Sequence, residues 1–300
     1  MNPLEYYRTQ SPITEPGEYV GLFGDLPHDI SGLCRAVQGL LFPIDGEELY
    51  GYTIPEDRRR EVDTRHVEKM LARIVELDER PLSEPRPMEK RLVGCCRDMA
   101  VLFCAVARHR GIAARTRAGF APYIQEFGPD FIVRHIVAEC WDSGEKRWRL
   151  VDPGQDELTI EQNNIQFDPT DIPGDQFMTA GLAWQMCRAG QADPDSFGEY
   201  PDPFLKGWWF LRANLVLDLA SQNRMELLLW DSWGDLMAPE PEPSEEDLAL
   251  LDEVATLTQA GDEAFDRMRA VYEGQAALKV PSVIKCYSFV TEPNEVVLAI

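Results

Sequence analysis

The chain has 300 residues, 44 % of them hydrophobic and 27 % charged, with a formal net charge of −23 at neutral pH. That length can bury a core for one large domain or two modest ones, and so acidic a surface argues against nucleic acid or anionic lipid as a partner. No uninterrupted apolar run approaches the roughly 18 residues a membrane-crossing helix needs, so no membrane partner is expected.

The opening segment, MNPLEYYRTQSP, shows neither the basic nor the apolar region of a secretory signal. The seven cysteines are odd in number and irregularly spaced, with no Cys-x-x-Cys pair among them. This pattern suggests reduced thiols and a cytoplasmic location. No cofactor motif or metal-binding cluster is evident, and none is expected.

The first ninety residues look largely helical. Ser31–Phe42 (SGLCRAVQGLLF) carries apolar residues at helical spacing, weakened by Gly32 and Gly39. Val62–Leu77 is a better amphipathic helix. Pro81, Pro85 and Pro87 then break the chain into a loop. Cys96–Arg110 (CRDMAVLFCAVARHR) predicts an apolar helix that stops at Gly111. Ala114–Tyr123 and Phe131–Trp141 read as strands, and the turn DSGEK leads to a third, Arg147–Val151, ended by Asp152-Pro153-Gly154. A helix followed by antiparallel strands indicates an α+β fold.

Beyond Asp156 the pattern turns helical again. Phe204–Asn223 is apolar enough to be largely buried. Pro239–Asp247 is an acidic, proline-rich connector, and Ser244 with Asp247 resembles a capping box for a helix through about Thr258. Val283–Ile300 has the β-branched, alternating character of strands. The chain thus divides into 1–90, an N-terminal helical part of the core; 91–156, a core segment; and 157–300, a mostly helical C-terminal extension.

Cys96 lies where a loop meets the start of a buried helix. There the helix dipole and free backbone N–H groups favour thiolate, the reactive form. Gly94 allows close backbone approach just before it. Cys95 is the rival nucleophile but precedes the helix and should point elsewhere. His135 sits inside an apolar strand, where an imidazole needs a partner. His28, His66 and His109 are expected at the surface. If Asp142 pairs with Arg147 across the turn, Val137 faces Asp152. His135 shares Val137's face by strand alternation, so Asp152 becomes its diagonal neighbour. A one-residue slip would place the carboxylate on the opposite face. With all three together, Cys96 attacks a carbonyl, His135 handles the proton, and Asp152 orients the imidazole. The Cys96 backbone N–H is one candidate oxyanion donor, and a Tyr or Gln of the first ninety residues is a candidate for the second.

The segment GCCRDMAVLFCAVARHRGIAARTRAGF resembles the nucleophile segment of the transglutaminase-like superfamily, in which Gly-x-Cys-x-Asp opens a helix ending before "GI-x-A-R". RHIVAECW resembles that family's His strand and WRLVDP its Asp strand, in the family's order and over about a fifth of the chain. The resemblance implies a papain-like α+β core, with the nucleophile helix packed on an antiparallel sheet and extra helices at both ends, as in compact bacterial members. It also implies Cys96 as nucleophile, His135 as base and Asp152 as orienter. Gly154-Gln155 fits the pattern. Cys95 departs from it, and so does Arg134, which either contacts substrate or points to solvent. No EF-hand-like calcium loop is present. The aromatic runs GWWFLRANL and LLLWDSWGDL are expected in the core rather than in a cleft wall.

The resemblance implies an acyl-enzyme formed from a peptide, amide or acyl-thioester donor. An acidic surface would favour passing the acyl group to a cationic amine acceptor. Hydrolysis of the same intermediate would make the protein a cysteine peptidase or amidase. A non-catalytic binding module on the same fold is the third reading.

Overall fold

The computed structural model describes residues 2–125, 127–199 and 204–299. The chain forms two compact units. The first comprises Met1–Thr116, Val137–Ile172 and Ser288–Glu292; the second comprises Arg117–Ile136, Pro173–Tyr287 and Pro293–Ile300.

In the first unit, helix α1 (Pro3–Arg8) is opened by reciprocal bonds between Asn2 and Glu5. Helix α2 (Ile30–Leu40) starts at Asp29, whose carboxylate accepts from Gly32 N at 2.7 Å. A side-chain oxygen at this position satisfies a backbone donor that the helix cannot. The predicted helix over 31–42 ends early, because Leu41–Pro43 leaves as strand β1. Helix α3 (Glu47–Tyr50) follows.

The helix predicted from Val62 begins later, as α4 (Val67–Leu77), behind a 3₁₀ segment over Glu56–Asp63. The reason lies some thirty residues on in the chain. The Thr64 and Arg65 carbonyls accept bonds from the Arg97 guanidinium, and Glu61 is drawn to Val93 N. Strand β2 (Leu92–Gly94) pairs parallel with β1, Leu41 against Leu92.

Helix α5 (Cys96–His109) follows at once and is buried from Arg97 to Arg108; it packs against α1, α2 and α4. It stops as expected at Gly111, whose φ of +75° is open to glycine at little cost. Strands β3 (Ala114–Ala121) and β4 (Ile132–Asp142) each run from one unit into the other. Strand β5 (Arg147–Val151) pairs antiparallel with β4, from Asp142 against Arg147 to Ala138 against Val151. The Asp142 carboxylate closes this hairpin by accepting from Gly144 N and Glu145 N. Helix α6 (Glu157–Gln162) ends the segment. The strand order is β5-β4-β3-β6, β6 being Met178–Thr179. Mixed helices and an antiparallel sheet make the fold α+β, as predicted.

The second unit contains α7 (Ala180–Arg188), strand β7 (Phe197–Gly198), α8 (Trp208–Gln222), strand β8 (Asp231–Ser232), α9 (Glu245–Gln259) and α10 (Phe265–Gly274). Strands β9 (Val283–Cys286) and β10 (Asn294–Val297) complete a small sheet in the order β10-β9-β8. The predicted helix over 204–223 starts only at Trp208, after Gly207 at φ +81°. Ser244 and Asp247 form the expected capping box at α9.

Helices α7, α8 and α9 pack on one another around Leu211, Leu215, Leu219, Leu251 and Val254, all buried. A charge pair lies inside this core: Asp218 of α8 accepts from Arg117 at 3.0 and 3.1 Å and from Ala118 N at 2.8 Å. Phe210, Leu211 and Trp233 are buried, as expected of the aromatic runs, although Trp208 is half exposed.

Candidate active site

The corner between β2 and α5 is built from charges that the sequence left unpaired. Glu61 accepts Val93 N at 3.0 Å and is gripped by Arg58 and Arg73, so the strand before the cysteines is tied to the 3₁₀ segment. Arg97, almost wholly buried, bonds Asp98 Oδ1 at 2.9 Å and Arg65 O at 2.8 Å. Asp98 Oδ2 in turn accepts Cys95 N at 2.9 Å. Burial pushes the Asp98 carboxyl above its ordinary range, and the Arg97 guanidinium and Cys95 N–H only partly offset this. A Cβ at Gly94 would lie 2.9 Å from Leu41 and 3.1 Å from Asp98 Oδ2. The glycine is therefore what lets the carboxylate fold back over the corner. Together these contacts hold the sulfur-bearing turn rigid.

Cys95 and Cys96 occupy different environments. Cys95 is the extended N-cap residue, at φ −127° and ψ −176°, and Cys96 is the first helical residue. Among the described residues, which include all seven cysteines, Cys96 is the one that is not buried. The Cys95 thiol is pushed up, first by a hydrogen bond to Cys96 and then by burial and the negative charge of Asp98. Cys95 is thus the partner that keeps its proton. Burial likewise pushes Cys140 up to about 12 and Cys187 up to about 11.

The β4–β5 register is the predicted one, with Asp142 opposite Arg147. The pairing runs as far as Ala138 against Val151; Asp152 lies in the first unit and His135 in the second. Asp152 is buried. Its backbone N–H donates to Pro169 O at 2.8 Å, while its carboxylate accepts from Gly154 N at 3.0 Å and from Gln155 Nε2 at 2.9 Å. A Cβ at Gly154 would lie 3.0 Å from Met99 Sδ and 3.3 Å from Asp152 Oδ1. The Asp152 turn therefore sits against α5 at Met99, three residues and about one helical turn beyond Cys96. Gln38 of α2 anchors the same turn from another side, donating to Pro153 O and Gln155 O, both at 3.1 Å.

His135 is buried, with its ring edge-to-face on Tyr123 at 6.1 Å. The residue before it corrects an expectation. Arg134 does not point to solvent: its guanidinium pairs with Glu199, donates to Leu229 O at 2.7 Å and lies over the Phe210 ring at 4.9 Å. The partners are 65 and 95 residues away in sequence, so no local pattern could reveal them. His28 and His109 are exposed, as expected. His66 is half-buried at the N-cap of α4 instead.

The amides and phenols of the first ninety residues that could serve as a second oxyanion donor include three that are already engaged. Gln38 holds the Asp152 turn, Gln10 Nε2 donates to Ala105 O at 2.8 Å, and Tyr50 donates to Asp156 at 2.8 Å. Gln38 and Gln155 are the residues that sequence reasoning missed as supports. Their roles depend on contacts spanning more than a hundred residues or on a side-chain direction inside a turn.

Among the described residues no group of three or more His, Cys, Asp or Glu side chains could hold a metal ion. No described helix is long and apolar enough to cross a membrane. The model of the transglutaminase-like superfamily matches residues 63–153. That segment, under a third of the chain, is similar to the transglutaminase-like superfamily. The transglutaminase-like core so defined takes in α4, β2, α5 and strands β3 to β5, and Asp152 is its penultimate residue. The match supports a cysteine-dependent enzyme.

No curated protein matches the chain significantly. Among solved structures, a protein from Cytophaga hutchinsonii provisionally assigned as a cysteine protease is 15 % identical, with a TM-score of 0.34 over 59 % of this chain and 45 % of that one. The chain thus spans less than half the length of that protein.

Proposed function

We propose that the protein is a thiol-dependent acyl-transfer enzyme that takes an acyl group from an amide or thioester donor and passes it to an amine. Cys96 is the nucleophile, His135 the base and Asp152 the orienter of the imidazole. The observation that carries this reading is Cys96 itself, the one cysteine not buried, at the first turn of a buried helix within the family-matched segment.

The Cys96 proton passes to His135, and Sγ forms a bond to the carbonyl carbon. The carbon–nitrogen or carbon–sulfur bond of the donor then breaks, and His135 returns the proton to the departing amine or thiol. The acceptor amine next attacks the thioester, gives its proton to His135 and displaces Cys96 as thiolate. The Cys96 N–H, at the mouth of α5, supplies one donor for the oxyanion. The choice of amine over water rests on the net charge of −23, which raises the local concentration of cationic acceptors.

The test is incubation with a simple acyl thioester, with and without a diamine. Amide product that replaces carboxylic acid when the diamine is present supports transfer. Carboxylic acid alone under both conditions identifies a hydrolase instead. Thiols that all react sluggishly, with no acyl-enzyme formed, identify a binding module.

A further inference from the structure

The Asp152 turn carries a side chain that the catalytic reading leaves unused. Gln155 is 9 % exposed; its Nε2 donates to Asp152 Oδ2 at 2.9 Å, and its Oε1 is buried without a hydrogen-bond partner. An ionised carboxylate can only accept, so the amide must present its nitrogen there and leave its oxygen facing the interior. A buried oxygen without a partner costs stability. The residue is therefore poorly explained by packing and well explained by the carboxylate that it grips.

Its own backbone is held in turn by Gln38 of α2, whose amide spans Pro153 O and Gln155 O. Gly154 N fixes the other carboxylate oxygen, and Met99 of α5 closes against Gly154. Titratable neighbours include Cys34 of α2, a thiol pushed up first by burial and then by the charge of Asp152, with Cys140 and Asp168 also acting on it, and Asp156, which is tied to Tyr50.

We infer that Gln155 is the positioning residue for the Asp152 carboxylate: its amide locks Oδ2, and Gln38 locks the Gln155 backbone. The inference rests on the proposed triad and adds to it the group that sets the orienter's own orientation. With Oδ2 and Oδ1 each bonded inside the turn, the carboxylate cannot rotate and presents fixed lone pairs. Without the Gln155 amide the bond to Oδ2 is lost and the carboxylate is held less firmly.

The test compares the wild type, Gln155→Met and Gln155→Glu in the hydrolysis of p-nitrophenyl acetate across pH. Gln155→Met keeps the volume and loses the donor, so kcat should fall on the order of 10- to 100-fold with KM held within about twofold. Gln155→Glu is the discriminating variant. Its introduced carboxyl, when ionised, repels Asp152 and cannot donate, whereas the neutral acid can. Two carboxyls sharing a site hold a proton to higher pH than either does alone. The ratio of its kcat to the wild-type kcat should therefore climb as pH is lowered, a response that a merely structural residue would not show.

A ratio flat with pH, or a Gln155→Met kcat within about twofold of wild type, overturns the inference. If Gln155→Met fails to fold, the pH response of Gln155→Glu decides alone. Cys96→Ala run in parallel separates the two readings. Turnover that survives it overturns the triad and Gln155's role together, whereas turnover that is lost while the Gln155 variants behave as wild type overturns Gln155's role only.

Discussion

Replacing Cys96 with alanine removes the sulfur and its hydrogen bond with Cys95, while the corner stays held by Glu61, Arg97 and Asp98. Turnover should fall on the order of 10⁴- to 10⁶-fold, as in triads that lose their nucleophile, with the circular dichroism spectrum unchanged. Cys95→Ala removes a buried, protonated thiol and should retain most activity. Alkylation separates the two residues again. With iodoacetamide near neutral pH, Cys96 should react well ahead of the other six, since burial holds Cys140 and Cys187 as thiols and Cys95 keeps its proton. Mass spectrometry of the tryptic peptide Leu92–Arg97 reads the outcome, and fast labelling of Cys95 would reassign the nucleophile. The place of Cys96 at the start of α5 was legible from sequence because both of its signals are local: a small-residue corner before it and an apolar helix after it. Arg134 was not, because the partners that hold it are distant in the chain.

Among the elements, the 3₁₀ segment Glu56–Asp63 should be the part of the site's support most sensitive to acid. Burial pushes the Glu61 carboxyl up, but bonds from Arg58, Val93 N and Arg73 outweigh it and leave the carboxyl below its ordinary value of 4.5. A depressed carboxyl contributes stability that is complete above its unfolded value and lost as pH falls through its folded one. At neutral pH, Glu61→Gln should therefore lower stability by about 2 kcal/mol, the scale of hydrogen bonds to a charged group. The gap from wild type should narrow as pH falls below the ordinary carboxyl value of 4.5 and through the lower folded one. Thermal melts across that range check it, and a gap independent of pH would contradict it.

The same segment marks the boundary of sequence reading. EDRRREV lacks the apolar spacing of α4, and what shapes it is a set of bonds to Val93, Glu89 and Arg91 some thirty residues on. Strands β1 and β2, at three residues each, are too short to show a period. By contrast, the register of β4 on β5 followed from the DSGEK turn and strand alternation, because a hairpin's pairing is set by its own loop.

For the whole molecule, the property that bears on function is charge. With 52 acidic against 29 basic residues, the surface field attracts cations over roughly the Debye length, about 10 Å at 0.1 M salt. A diamine acceptor should therefore be used several-fold less efficiently at high ionic strength, while hydroxylamine, uncharged at neutral pH, should be little affected. Steady-state rates with the two acceptors at low and high salt test this, and equal salt sensitivity would remove the reason for preferring amine transfer over hydrolysis.

The central claim concerns a single sulfur, and it is tested most directly by trapping the covalent intermediate. The protein is mixed with an acyl thioester, quenched in acid within the turnover time and digested, and the Leu92–Arg97 peptide is fragmented. The account predicts one acyl group, on Cys96, that disappears when a diamine is added before the quench. An acyl mass on Cys95 or on any other cysteine, or none on an enzyme that is turning over, would contradict it.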